Sequence, residues 1–182
     1  TLLLDSKNRL WFASDEGCIA YILDEHRFET YKINLRKKVR SQKELVNVIY
    51  EDKAGDIWVG TRWQALYRLD RNGQVKQIFS DHDYLLGAVY HIMEDKDGNL
   101  WFSTKGNGLV KAEPDMNSPH GLRFTRYKND PKDSNSISNN DVYFTYQDSQ
   151  ERICVGLLGG GLNLIAEENG EVVFKHKYNG LK

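Results

Sequence analysis

Asp95, Asp97 and Asn99 stand at alternate positions, the spacing at which a calcium-binding loop places its first three oxygen ligands. The loop then needs glycine at its sixth position and a bidentate glutamate at its twelfth. This chain has Leu100 and Gly106 there, so the acids read as turn formers, not ligands. The glycine run Gly156 to Gly161, "GLLGGG", matches neither the phosphate-binding spacing that ends in Lys-Ser/Thr nor the dinucleotide fingerprint before a helix. It reads as a glycine-rich hairpin. His82 and Asp83 suggest a phosphoacceptor. Such a histidine belongs on a long amphipathic helix, and this one lies between two strand-like runs, which makes it a loop residue. His26, His91, His120 and His176 are dispersed, and sequence proximity assembles no Ser/His/Asp or carboxylate pair from them. Cys18 and Cys154 sit in apolar runs without metal spacing and read as small core residues. Arg36 to Lys43 holds five cations, which fit a solvated loop or, as the sharper alternative, a contact to an anionic ligand or partner.

No cofactor is called for by any of these patterns. A net charge of −1 supplies no field for a polyanion, so nucleic acid is not an expected partner. No apolar run approaches the roughly 18 residues of a membrane helix. The abrupt start at "TLLLD" reads as an excised fragment.

What must position these residues is a repeat. "LLLDSKNRLWFAS", "VIYEDKAGDIWVGT", "HIMEDKDGNLWFST" and "FTYQDSQERICVGL" align on Asp5, Asp52, Asp95 and Asp148, each followed six residues later by Trp11, Trp58, Trp101 or Cys154. The anchors are 47, 43 and 53 residues apart, with the differences falling between copies, where loops absorb insertions. Each copy continues through a turn into a second run and then a run with an aromatic. The runs are rich in Val, Ile, Tyr, Phe and Trp and read as strands. No stretch has convincing helical periodicity. Four-stranded units at this period predict an all-β chain of β-propeller blades, about four of them, over residues 1–35, 45–80, 88–129 and 141–179. The Asp-x-x-Gly segment should form the first turn and the tryptophan should fill the space between neighbouring blades. The fourth copy has neither the glycine nor the tryptophan, so its blade should pack less tightly or sit at an edge.

"VNVIYEDKAGDIWVGT" and "VYHIMEDKDGNLWFST", with "GNGLVKA" after the second and the lead-in "NDPKDSNSISNNDV", resemble the two-component regulator propeller repeat. The resemblance implies part of a seven-bladed propeller in the periplasmic sensor region of a bacterial hybrid histidine kinase/response regulator, of the Bacteroides-like kind that respond to oligosaccharides. It implies a membrane helix and kinase elsewhere in the parent protein, no catalysis by this fragment, and self-association through open blade edges or receptor dimerisation. In such propellers ligands meet loops on one face and the first strands that line the channel. Arg62, Trp63, Lys105 and Asn107 fall in the second-to-third-strand loops, and Tyr90, His91 and Tyr143 on first strands. An aromatic face stacks on a sugar ring while cations and amides supply hydrogen bonds. The alternatives are a protein-interaction propeller and a streptogramin-lyase-like enzyme, which shares "DGNLWF" turns and needs a metal and a histidine base. His91 is the one candidate base, and sister copies lack it.

Overall fold

A computed structural model describes residues 1–14, 17–33, 45–63, 65–80, 86–118 and 120–180. His82, Asp83 and the basic run from Arg36 to Lys43 lie outside the described residues. Among the described residues there are sixteen strands and no helix.

The strands form four antiparallel sheets, each joining neighbours in chain order. The first holds β1 (Leu2–Leu4), β2 (Arg9–Ser14), β3 (Gly17–Ile22) and β4 (Arg27–Lys32), and the second β5 (Val46–Glu51), β6 (Ile57–Thr61), β7 (Ala65–Leu69) and β8 (Val75–Ser80). The third holds β9 (Ala88–Glu94), β10 (Leu100–Lys105), β11 (Leu109–Pro114) and β12 (Leu122–Tyr127). The fourth holds β13 (Val142–Gln147), β14 (Ile153–Leu157), β15 (Gly161–Glu168) and β16 (Glu171–His176). This is the blade meander that the repeat predicts.

The chain divides into two compact units, Thr1–Val89 and Tyr90–Lys182. The core of the first joins Trp11, Ala20 and Tyr31 to Ile57, Val59 and Tyr67. The core of the second joins Trp101 and Leu109 to Val155, Leu157 and Phe174. Every residue of β6 is buried, because both faces of that central strand are covered. Strand β13 is mostly exposed between Val142 and Thr145.

The repeated aspartate does more than form a turn. Asp95 Oδ1 accepts the amides of Asp97 and Asn99, and its Oδ2 accepts the indole N–H of Trp101 at 2.8 Å. Asp52 serves Asp56 and Trp58 in the same way, and Asp5 serves Lys7, Arg9 and Trp11. A tryptophan packed inside a core must find a partner for its N–H. The six-residue spacing places that partner one turn away. In the fourth copy Asp148 makes the same two amide bonds, but its Oδ2 takes Arg152 Nε at 2.7 Å instead of an indole. Glu151 stands where Gly55 and Gly98 stand and adopts the same left-handed backbone, φ 67°. The missing glycine therefore changes the strain of the turn, not its shape. Of the two cysteines, Cys18 is buried as a core residue should be. Cys154 is only half-buried, because the face it occupies is partly open to solvent.

Candidate functional site

In the second unit the first strands bring three of the expected residues together. Tyr90 and Tyr143 stack with ring centroids 5.0 Å apart and planes 16° from parallel. His91, next to Tyr90, packs on Phe144, next to Tyr143, at 4.1 Å. Consecutive strand residues normally point to opposite faces, but the β13–β14 register shifts between Val142 and Phe144. At that irregularity Tyr143 and Phe144 are both exposed, at 45% and 49%. Phe144 was not among the residues expected from sequence. Strand β5 carries the same shift, between Val46 and Val48, and Val48 is buried there, so the shift alone does not expose Phe144. The Thr145 amide donates to His91 Nδ1 at 3.4 Å, and Thr145 Oγ1 pairs with Ser103 Oγ at 2.7 Å. Burial pushes the His91 pKa below its ordinary value, which favours a neutral ring able to accept that bond.

Lys105 and Asn107 occupy the β10–β11 hairpin, Lys105 exposed and Asn107 half-buried. The hairpin is closed by Thr104 Oγ1, which donates to the Gly108 carbonyl at 2.6 Å. The Gly108 amide donates to the Asn140 carbonyl at 2.9 Å. The segment before β13 is tied to the next hairpin too, through Leu158 N–H to the Asp141 carbonyl and Ser138 Oγ to the Gly160 carbonyl. The loops that carry Lys105 and Asn107 are thus held by backbone bonds, as a binding surface requires. In the first unit the β6–β7 hairpin repeats the closure, with Thr61 Oγ1 donating to the Ala65 carbonyl at 2.7 Å. It presents Arg62 with its guanidinium 5.3 Å from the Trp63 ring centroid. Trp63 therefore packs apart from the buried tryptophan series, under a cation.

Two recesses of the described surface lie away from these residues. One of about 370 Å³ in the first unit is lined by Lys7, Arg9, Glu25, Arg27, Glu29 and Tyr31. Its charges are largely paired with one another, as in Arg27 with Glu25 and Tyr31 with Glu29. A second, of about 160 Å³ in the second unit, lies among Asp130, Ser136, His176 and Tyr178. Asp130 and Ser136 there are engaged in turn bonds. Among the described residues no group of three His, Cys, Asp or Glu side chains is placed to hold a metal ion.

The family described as the two component regulator propeller matches residues 42–63 and 83–106, the segments that lead into the second and third tryptophans. No curated protein matches the chain. Among solved structures it is similar to the extracellular domain of a putative hybrid two-component system from Bacteroides thetaiotaomicron. That likeness has a TM-score of 0.72 and 22% identity, over 92% of this chain and 21% of the other. A second such domain from the same organism gives 0.66 and 18%, over 94% and 22%. PorZ, a surface component of the type-IX secretion system of Porphyromonas gingivalis, gives 0.65 and 15%, over 94% and 26%. The chain thus spans about a fifth to a quarter of the length of these structures. At such identities the likeness is one of fold.

Proposed function

Because this chain carries two-component regulator propeller repeats, we propose that it is a ligand-binding sensory module of an extracytoplasmic receptor. The receptor lies in the periplasm, and oligosaccharide binding there controls a cytoplasmic histidine kinase outside these residues. The observation that carries this reading is the paired stack of Tyr90 on Tyr143 and His91 on Phe144. Half-exposed rings beside a neutral imidazole offer apolar faces and a hydrogen-bonding edge, which suits the alternating CH faces and hydroxyls of a sugar. In the same unit Lys105 and Asn107 supply a cation and an amide for hydroxyl or carboxylate groups, and in the first unit Arg62 with Trp63 offers a cation and a ring of its own. The kinship of the repeat and the extracellular setting of the similar structures support the compartment. The described residues include no helix long and apolar enough to cross a membrane.

Calorimetry against neutral and anionic oligosaccharides tests this. Binding should weaken by about tenfold when Tyr143→Ala removes one stacking ring, the scale of one aromatic contact. A folded chain that binds none of the panel, or a Tyr143→Ala variant that binds as well as the parent, would count against the reading.

A further inference from the structure

The recess of the first unit forms where two sheets meet, and its two walls differ in charge. The first sheet faces it with the side that carries Trp11: Arg9, Ile22 and Arg27 stand in one row, Trp11 and Glu29 in the next. The β7–β8 turn, with Asn72, closes it from the second sheet. A Cβ at Gly73 would fall 2.1 Å from the Tyr31 ring, so only glycine lets that turn come down on Tyr31.

One wall has positive charge to spare. Arg9 is buried and paired with Asp5, its Nε 2.6 Å from Oδ2. Its Nη1 donates to the Tyr31 hydroxyl and its Nη2 to the Arg71 carbonyl, which leaves two of its five N–H groups unspent. Lys7 Nζ donates to that same carbonyl at 2.9 Å and to Asn72 Oδ1 at 3.2 Å. Two cations thus converge on one neutral oxygen, with one carboxylate between them. Among the described residues Lys7 forms no ion pair. Asp70 feels it only through space, and spends its Oδ1 on the amides of Asn72 and Gln74.

The other wall has negative charge to spare. Glu25 Oε2 lies 2.5 Å from Arg27 Nε, and Glu29 Oε2 lies 3.7 Å from Arg27 Nη1. One guanidinium therefore answers two carboxylates. Glu29 Oε2 also accepts the Tyr31 hydroxyl at 2.8 Å.

We propose that this recess binds a small zwitterion, a free amino acid or a short peptide, with its carboxylate at Lys7 and Arg9 and its ammonium at Glu25 and Glu29. A ligand with a single charge gains one wall and is repelled by the other. A ligand with both charges gains both walls, and the match fixes its orientation. The volume of about 370 Å³ is that of a small-molecule site. This site lies in the first unit and does not rest on the sugar reading.

Calorimetry of the full chain with glycine, β-alanine, aminohexanoate and triglycine tests it, with propionate and propylamine as single-charge controls. Glycine against triglycine separates an amino acid from a peptide. At least one zwitterion should bind, and both controls should bind about tenfold more weakly or worse, the scale of one charged hydrogen bond. Lys7→Met and Glu25→Gln should each weaken binding by a similar factor, with circular dichroism unchanged because both side chains are exposed. Tyr143→Ala should leave it unchanged, which separates this site from the aromatic pair. The proposal is overturned if no zwitterion outbinds the controls, if either recess variant binds as well as the parent, or if Tyr143→Ala abolishes binding.

Discussion

Trp101 Nε1 donates to Asp95 Oδ2 at 2.8 Å, and Trp58 with Asp52 and Trp11 with Asp5 repeat the pair at 2.8 and 2.7 Å. One carboxylate closes a turn with one oxygen and satisfies a core indole with the other. Asp95→Ala orphans the indole and two turn amides and should cost about 1–3 kcal/mol. Denaturant unfolding would show a lower midpoint at unchanged slope. Trp101→Phe should retain much of the packing, and Asn99 Nδ2, 2.9 Å from Asp95 Oδ2, keeps that oxygen partnered. Asp148→Ala should cost less than Asp95→Ala, since its Oδ2 holds an exposed arginine rather than a buried indole. Equal losses at Asp95 and Asp148 would contradict this role.

Gly106 and Gly108 separate backbone strain from collision. Both have φ near +80°, but a Cβ at Gly106 meets nothing within 4 Å, whereas one at Gly108 falls 2.1 Å from the Tyr127 carbonyl oxygen. Gly106→Ala should cost about 1–2 kcal/mol, the conformational penalty alone. Gly108→Ala should cost clearly more and loosen the tie to Asn140. Thermal melts that rank the two alike would show that the backbone there shifts freely.

Thiol labelling distinguishes the cysteines. Burial pushes the Cys18 thiol up to about 12, so at neutral pH it has almost no thiolate. Cys154 is half-buried. Mass spectrometry after brief alkylation of the native chain should find the label on Cys154, and on Cys18 only after denaturant. Early modification of Cys18 would contradict its burial.

The pH dependence of stability should carry a contribution from His91. Its folded pKa lies below the ordinary 6.5 because burial penalises the charged ring. The unfolded chain therefore takes up the proton first, so this stability is full above pH 6.5 and is lost as pH falls through the depressed value. His91→Gln should flatten the decline that begins as pH falls below 6.5. Asp5 acts lower. Burial pushes its carboxyl up, but bonds from Trp11 and Arg9 outweigh that and hold it below 3.8. Its share is present above pH 3.8 and lost as pH falls further. A parallel decline in the parent chain and His91→Gln would remove His91 from this account.

The three Asp-to-Trp intervals, the equal Asp148-to-Cys154 interval and the glycine punctuation were enough to read a chain of four-stranded blades, because strand periodicity and turn chemistry are local properties. The same locality made Tyr90, His91 and Tyr143 visible as first-strand residues. Their meeting was not visible, because it depends on which strands of neighbouring sheets come face to face. The same packing set Phe144 beside His91. The aspartates were legible as turn formers, yet their second oxygen finds its indole only once the hairpin closes. Likewise Cys154 looked like a core residue from its apolar run. Tertiary packing left it on a half-open face, since alternation says which residues share a face but not whether anything covers it.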